Sequence, residues 1–178
     1  IFGVPLGVSA TYVFMFVLFG AFLERSGAGD YLIRLAFASM GGARGGPAKA
    51  AVVASGLLGL VSGSSVANVV TTGSLTIPVM KKTGFPPETA GAVEVAASTN
   101  GQFMPPVMGA AAFIMAEMTG IPYIEICKAA FVPAILSYIA IFGIVHMESL
   151  KRGFKGLPRD QIPRLVPTVL SGLHFLIP

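Results

Sequence analysis

Two stretches of this chain set oxygen and amide groups into otherwise apolar sequence. One is Ser62-Gly63-Ser64-Ser65-Val66-Ala67-Asn68; the other is Ser98-Thr99-Asn100-Gly101-Gln102-Phe103-Met104-Pro105-Pro106. Each couples polar side chains to helix breakers. A helix that ends offers free carbonyls and a negative dipole end, and one that begins offers free N–H groups and a positive end. The carbonyls suit a small hard cation such as Na⁺, and the N–H groups suit a carboxylate. Ser64 and Ser65 add hydroxyls, and Asn68 adds an amide that both accepts and donates. Ser65 and Asn68 stand three apart, so both reach the same side of a helix's first turn. Gly63 permits a tight turn. Pro105 and Pro106 remove two backbone donors and restrict the residues before them, which frees carbonyls near Gly101 and Gln102. Paired interruptions of this kind in apolar segments mark an ion and substrate site inside a membrane.

The composition demands such an environment. Of 178 residues, 54% are hydrophobic and 11% charged, against roughly 25% charged in a soluble domain. Gly (22) and Pro (13) are plentiful, as befits membrane helices that are broken and closely packed. The net charge of +4 belongs to basic residues flanking apolar spans, a topology signal that argues against nucleic-acid binding. The single Cys127 cannot form an internal disulfide, and no Cys/His cluster points to a structural metal. No nucleophile–base pair is visible, so the chain does not read as an enzyme. The chain opens at Ile1, closes at Pro178 inside a new apolar run that starts at Leu165, and reads as a piece of a longer polytopic protein.

The elements that position the two breaks follow from apolar runs and their punctuation. Residues 4–23 give about 20 mostly apolar residues, enough for a spanning helix. Residues 30–40 carry apolar groups at helical spacing with Asp30 and Arg34, and read as an amphipathic interfacial helix. A glycine-rich connector ends at Pro47, which is set to open the next helix. The apolar runs on either side of the first break, residues 48–61 and 69–80, give arms of about 21 and 18 Å. Neither crosses a hydrocarbon core of about 30 Å. Charge favours a re-entrant hairpin over residues 48–80, with Ser62 to Asn68 at its tip. A broken helix at 87–118, a spanning helix at 129–147 and a polar connector at 151–164 then place 11 of the 12 basic residues on one face, the cytoplasmic one by the positive-inside rule. The fold class is an all-α polytopic membrane protein with a re-entrant hairpin and a discontinuous helix.

Each feature has a plainer reading beside it. Gly59 and Gly63 form a GxxxG pair that can serve helix packing, and Pro105-Pro106 can be a packing kink. The kink does not explain the polar run before it, and two breaks with Gly, Ser and Asn favour a cavity-lining pair. Glu94, two turns before the second break, is either an intramembrane functional carboxylate, or a protonated or paired structural one, or one solvated near the interface. His146 and His174 read as snorkelling groups rather than metal ligands.

Beyond these patterns, Ser62 to Asn68 followed by Gly73-Ser74-Leu75-Thr76-Ile77-Pro78-Val79-Met80-Lys81-Lys82-Thr83-Gly84-Phe85, and then Ala97 to Met108, resemble the large membrane subunit of tripartite ATP-independent periplasmic (TRAP) transporters, most closely the type fused to the small membrane subunit. The segments Gly3 to Tyr12 and Phe22 to Gly29 fit the same family. The resemblance runs over nearly the whole chain. It implies an elevator-type, Na⁺-coupled importer in a bacterial or archaeal inner membrane, supplied with an organic acid by a soluble periplasmic binding protein. It further implies two inverted repeats, of which this chain is the first. By similarity, Na⁺ is held near Ser65 and Asn68 and near Gly101, Met104 and Pro106, while Ser64, Ser65 and Asn100 face the substrate. Asn100 stands where the family pattern has a small residue. The alternatives are a divalent-anion/sodium symporter that needs no binding protein, and a non-transporting membrane assembly subunit.

Overall fold

The computed structural model describes residues 3–172, and among them every regular element is a helix. His174 lies outside the described residues. The first apolar run is helical from α1 (Val4–Val8) through a π-helical turn (Ser9–Val13) into α2 (Phe14–Arg25). Gly27, with φ 90°, turns the chain into α3 (Ala28–Met40). This amphipathic helix buries Tyr31, Ile33, Ala36 and Phe37 and leaves Asp30 and Arg34 exposed.

At the centre lies α4 (Gly46–Ser62), which packs against α2, α3, α5, α6 and α8. A helix apolar on all sides belongs inside. This one carries small residues on every face, Ala48, Ala50, Ala51, Ala54, Ser55, Gly56 and Gly59, all buried. Small side chains let backbones approach closely, which drives helix association where no hydrophobic effect operates between helices in lipid. After Gly63 and Ser64 the chain returns as α5 (Ser65–Lys82). The pairing is antiparallel, because Ser55 meets Thr72 while Ala48 shares a core cluster with Met80.

The hairpin arms are 17 and 18 residues long, about 26 and 27 Å. They exceed the arms expected from apolarity alone because Gly46, Pro47 and Ser62 join the first helix and Ser65 to Asn68, Lys81 and Lys82 join the second. The break itself is only Gly63 and Ser64. Ser64 acts as an N-cap, its Oγ accepting from the Ala67 N–H at 3.3 Å.

Helix α6 (Pro87–Asn100) packs against both arms and ends in a 3₁₀ turn (Gly101–Phe103). Residues 104–109 are irregular, with a cis Pro105–Pro106 peptide, before α7 (Ala110–Thr119). Helix α8 (Tyr123–Arg152), which begins before the expected residue 129, is about 45 Å long at 1.5 Å per residue. Among the described residues it is the one helix long and apolar enough to cross a membrane. Tyr12, Phe113 and Tyr123 stack in a ladder, with centroids 6.1 and 4.4 Å apart, that joins the π turn, α7 and α8. The connector after α8 turns back over the glycine loop: the Leu157 N–H donates to Gly41 O at 2.9 Å, and Phe154 stacks on Phe85 at 3.9 Å. A 3₁₀ turn (Arg159–Gln161) leads to α9 (Leu165–Ser171), which lies against α3.

Candidate functional site

The two breaks meet. Gly63 ends α4 at φ 57°, a region open to glycine at little cost. A Cβ there would also lie 2.0 Å from the Met108 carbonyl oxygen, so the tip sits directly on the irregular segment after α6. One turn back, a Cβ on Gly59 would come within 2.6 Å of Gly101 Cα. The GxxxG pair is therefore a packing device, and what it packs is the hairpin tip against the second break.

Asn68 lies at the centre of this contact, fully buried. Its Nδ2 donates to the Ser55 carbonyl at 2.9 Å, and a Cβ on Gly101 would stand 2.8 Å from that same nitrogen. Among the described residues, Asn68 Oδ1 has no hydrogen-bond partner, and neither has the buried Ser62 Oγ. A buried acceptor left unpaired costs about 1–3 kcal/mol, which makes Oδ1 the most suggestive atom of the site. Beside it, Gln102 Nε2 donates to Ser65 Oγ, and the Gly109 N–H closes the irregular loop onto Gln102 O at 2.9 Å. Within that loop Met108 holds φ 53°, a conformation that side-chain-bearing residues adopt at some cost and mostly at functional sites.

A cavity of about 600 Å³ opens between tip and loop, lined by Ser62, Gly63, Ser64, Gln102, Phe103 and Met108 among others. Ser64 also lines a smaller one, about 200 Å³, toward α2 and α3. The donors and acceptors here are hydroxyls, amides and backbone carbonyls, a set that suits hard cations. Among the described residues no cluster of His, Cys, Asp and Glu could hold a transition metal.

Ser65, Asn68 and Gly101 are thus brought together, with Ser64 on the cavity wall. The others are turned elsewhere. Asn100 donates its amide to Ser137 Oγ on α8 and is not among the cavity-lining residues. The Met104 side chain lies in a groove between α4 and α8 with Val52, Leu60 and Ile135. The Pro106 carbonyl accepts from the Tyr123 hydroxyl at 2.8 Å, and Val107 O accepts from the same hydroxyl at 2.6 Å. Pro106 O also accepts from Cys127 Sγ at 3.8 Å, so both of its lone pairs face α8.

Two partners escaped the sequence reading. Gln102 was one polar residue among many, and Ser55 a lone serine in an apolar run. Spacing was the available signal for the group around Glu94. Asn68, Thr72 and Thr76 on α5 recur every fourth residue, as do Glu94 and Ser98 on α6, and such residues share a face. In the fold, Glu94 is fully buried and ringed by the hydroxyls of Ser55, Thr72, Thr76 and Ser98.

Comparison with known proteins gives these features a family. The model of the tripartite ATP-independent periplasmic transporter DctM component matches residues 3–178. The C4-dicarboxylate TRAP transporter large permease protein DctM of Pseudomonas aeruginosa is 32% identical over 162 residues, covering 91% of this chain and 38% of that protein. An uncharacterized protein, y4mL, of Sinorhizobium fredii is 31% identical over 154 residues, 86% of this chain and 36% of that protein. The isethionate TRAP transporter permease protein DctMQ of Oleidesulfovibrio alaskensis is 30% identical over 146 residues, 82% of this chain and 23% of that protein. The chain thus spans between 23 and 38% of the length of these three relatives. With a helical membrane composition, a hairpin tip pressed on a broken helix and a family match over nearly its whole length, the chain belongs to the DctM component family of tripartite ATP-independent periplasmic transporters, proteins of transport rather than catalysis.

Proposed function

We propose that this chain is the first of two inverted repeats of a Na⁺-coupled importer of an organic acid, which a periplasmic binding protein delivers. The single observation that carries the reading is Asn68 Oδ1, a buried acceptor without a partner at the point where the hairpin tip meets the second break. In this reading Na⁺ is a co-transported ion held by that oxygen with backbone carbonyls at Ser65, Gly101, Met104 and Pro106. A cation between the two breaks draws their carbonyls together and fixes the shape of the cavity beside them. The substrate carboxylate meets Ser64 and Ser65 at the start of α5, where the free N–H groups and the helix dipole favour an anion. Asn100 acts on this site by holding α6 against Ser137. The hairpin enters and leaves on the cytoplasmic face, where the basic loops lie, and a small membrane subunit, separate or fused, flanks the exposed apolar helices.

The test is uptake of a radiolabelled dicarboxylate by the complete permease with its membrane and binding partners in proteoliposomes, with and without an inward Na⁺ gradient. Uptake that requires both Na⁺ and the binding protein is expected. Uptake indifferent to Na⁺ would sink the coupling, and uptake without the binding protein would turn the assignment toward a self-sufficient symporter.

A further inference from the structure

A buried polar cluster lies apart from the tip cavity, between the hairpin arms and α6. At its centre the Glu94 carboxyl accepts from four hydroxyls. Thr72 Oγ1, Ser98 Oγ (3.2 Å) and Ser55 Oγ (3.3 Å) address Oε1, and Thr76 Oγ1 addresses Oε2. Three helices contribute: α4, α5 and α6. All five residues are fully buried.

Among the described residues no cation balances this carboxyl. On α4, Lys49 directs Nζ to His146 Nδ1 on α8 at 2.8 Å. On α5, Lys81 and Lys82 stand exposed at the far end, and on α6 Glu88 is exposed at the start. On α8, the Tyr138 hydroxyl donates to Ala97 O at 2.9 Å. The ion pairs found among the described residues, Lys128–Glu125 and Arg152–Glu148, are elsewhere.

An isolated charge in such a place is costly, so a buried carboxyl without a counter-ion exchanges its charge for a bound proton. The type of neighbour decides whether that exchange is reversible in place. A ring of backbone N–H groups can only donate and would hold the anion. Hydroxyls rotate, and each both donates and accepts. In this cage they also have partners to turn to: Thr72 Oγ1 reaches Asn68 O at 2.7 Å, and Ser55 Oγ reaches Thr72 Oγ1 at 3.4 Å and Ser98 Oγ at 3.3 Å. Four donated bonds serve the carboxylate. One rotated hydroxyl accepts the acid proton, and the others re-pair among themselves. Either state is satisfied with the same heavy-atom positions.

The cage is also wired to the tip. Thr72 bonds the Asn68 carbonyl, and Asn68 Nδ2 bonds the carbonyl of Ser55, whose hydroxyl faces Glu94. We propose that Glu94 is a proton-binding site of the transport cycle, taking one proton from water on the side to which the cage opens and giving it up on the other. This rests on the transporter reading above and adds a second cation, H⁺, at a site separate from Asn68. Parting α6 from the hairpin is the motion that exposes the carboxyl.

The experiment uses the complete permease with its partners in proteoliposomes. It measures the ratio of substrate uptake with an acid-outside pH gradient to uptake at equal pH, each with and without a Na⁺ gradient. A several-fold ratio is expected for the native protein, and a ratio of one for Glu94→Gln, whatever residual rate that variant retains. Equal ratios in the two proteins, or a native ratio of one, overturn the proposal. Should Glu94→Gln fail to insert, Thr76→Val decides. It removes one of the four hydroxyls of the cage, so the acid-gradient ratio is expected to fall, and an unchanged ratio overturns the proposal. Native uptake that responds to pH but not to Na⁺, together with a ratio of one for Glu94→Gln, would uphold Glu94 while removing the Na⁺ reading.

Discussion

At the scale of single residues, Asn68 has two separable jobs. Its Nδ2 donates to the Ser55 carbonyl at 2.9 Å, and its Oδ1, without a partner among the described residues, is the group proposed above for Na⁺. Asn68→Ala removes both. The loss of this buried bond, which adds to the intrahelical bond of Ser55 O, costs about 0.5–1.5 kcal/mol, so the purified permease is expected to melt at a slightly lower temperature. The Na⁺ concentration for half-maximal uptake is expected to rise as well. The double variant Ser65→Ala/Asn68→Ala is expected to lose uptake altogether, and undiminished transport by it would make the tip a packing device. Gly101→Ala offers a sharper probe, because its new Cβ meets the Asn68 amide at 2.8 Å and pushes it off its position. A raised half-saturating Na⁺ concentration is expected there with all ligand groups still present.

At the scale of elements, the hairpin depends on two adjacent residues of opposite kind. Gly63→Ala forces a side chain to φ 57° and drives Cβ to 2.0 Å from Met108 O, so either the tip or the loop must move. Severe loss of folded protein is expected, measured as recovery after detergent extraction. For the fold, Ser64→Ala removes just the cap on α5, a loss of about 1 kcal/mol, visible as a modest drop in melting temperature with the fold intact. These positions also show how an element boundary hides in sequence. The polar run from Ser62 to Asn68 reads as one long break, yet most of it is helix, because a single serine side chain accepting at 3.3 Å is enough to start α5 early. Polarity marked the place; the cap set the width.

At the scale of the whole molecule, the outer faces are apolar. Phe14, Met15, Val17 and Phe22 on α2 and Phe131, Val132, Leu136 and Ile139 on α8 are exposed, as lipid- or subunit-facing positions are. The charge asymmetry predicts the arrangement across the bilayer. In a Cys127→Ser background of the complete permease, Lys81→Cys and Lys155→Cys are expected to react with an impermeant thiol reagent from the cytoplasmic side. Lys128→Cys should react only from the other. Labelling of Lys81→Cys from outside would replace the re-entrant hairpin with a full crossing. Residues 1–178 expressed alone are expected to give no uptake, since the chain spans 38% or less of the three relatives described above and one repeat lacks its symmetry mate.

The sequence by itself determined what is local. Apolar length and Gly, Pro and Ser punctuation made the protein an α-helical membrane chain with breaks falling inside residues 62–68 and near Pro105-Pro106, because helix termination depends on a few neighbouring residues. Tertiary structure decided what depends on the rotation of one helix against another. It aimed Gly59 at Gly101, turned Asn100 away from the tip to Ser137, and closed Ser55, Thr72, Thr76 and Ser98 around Glu94. That rotation follows from how the small-residue faces of α4 pack on all sides at once, and no window of sequence holds the information.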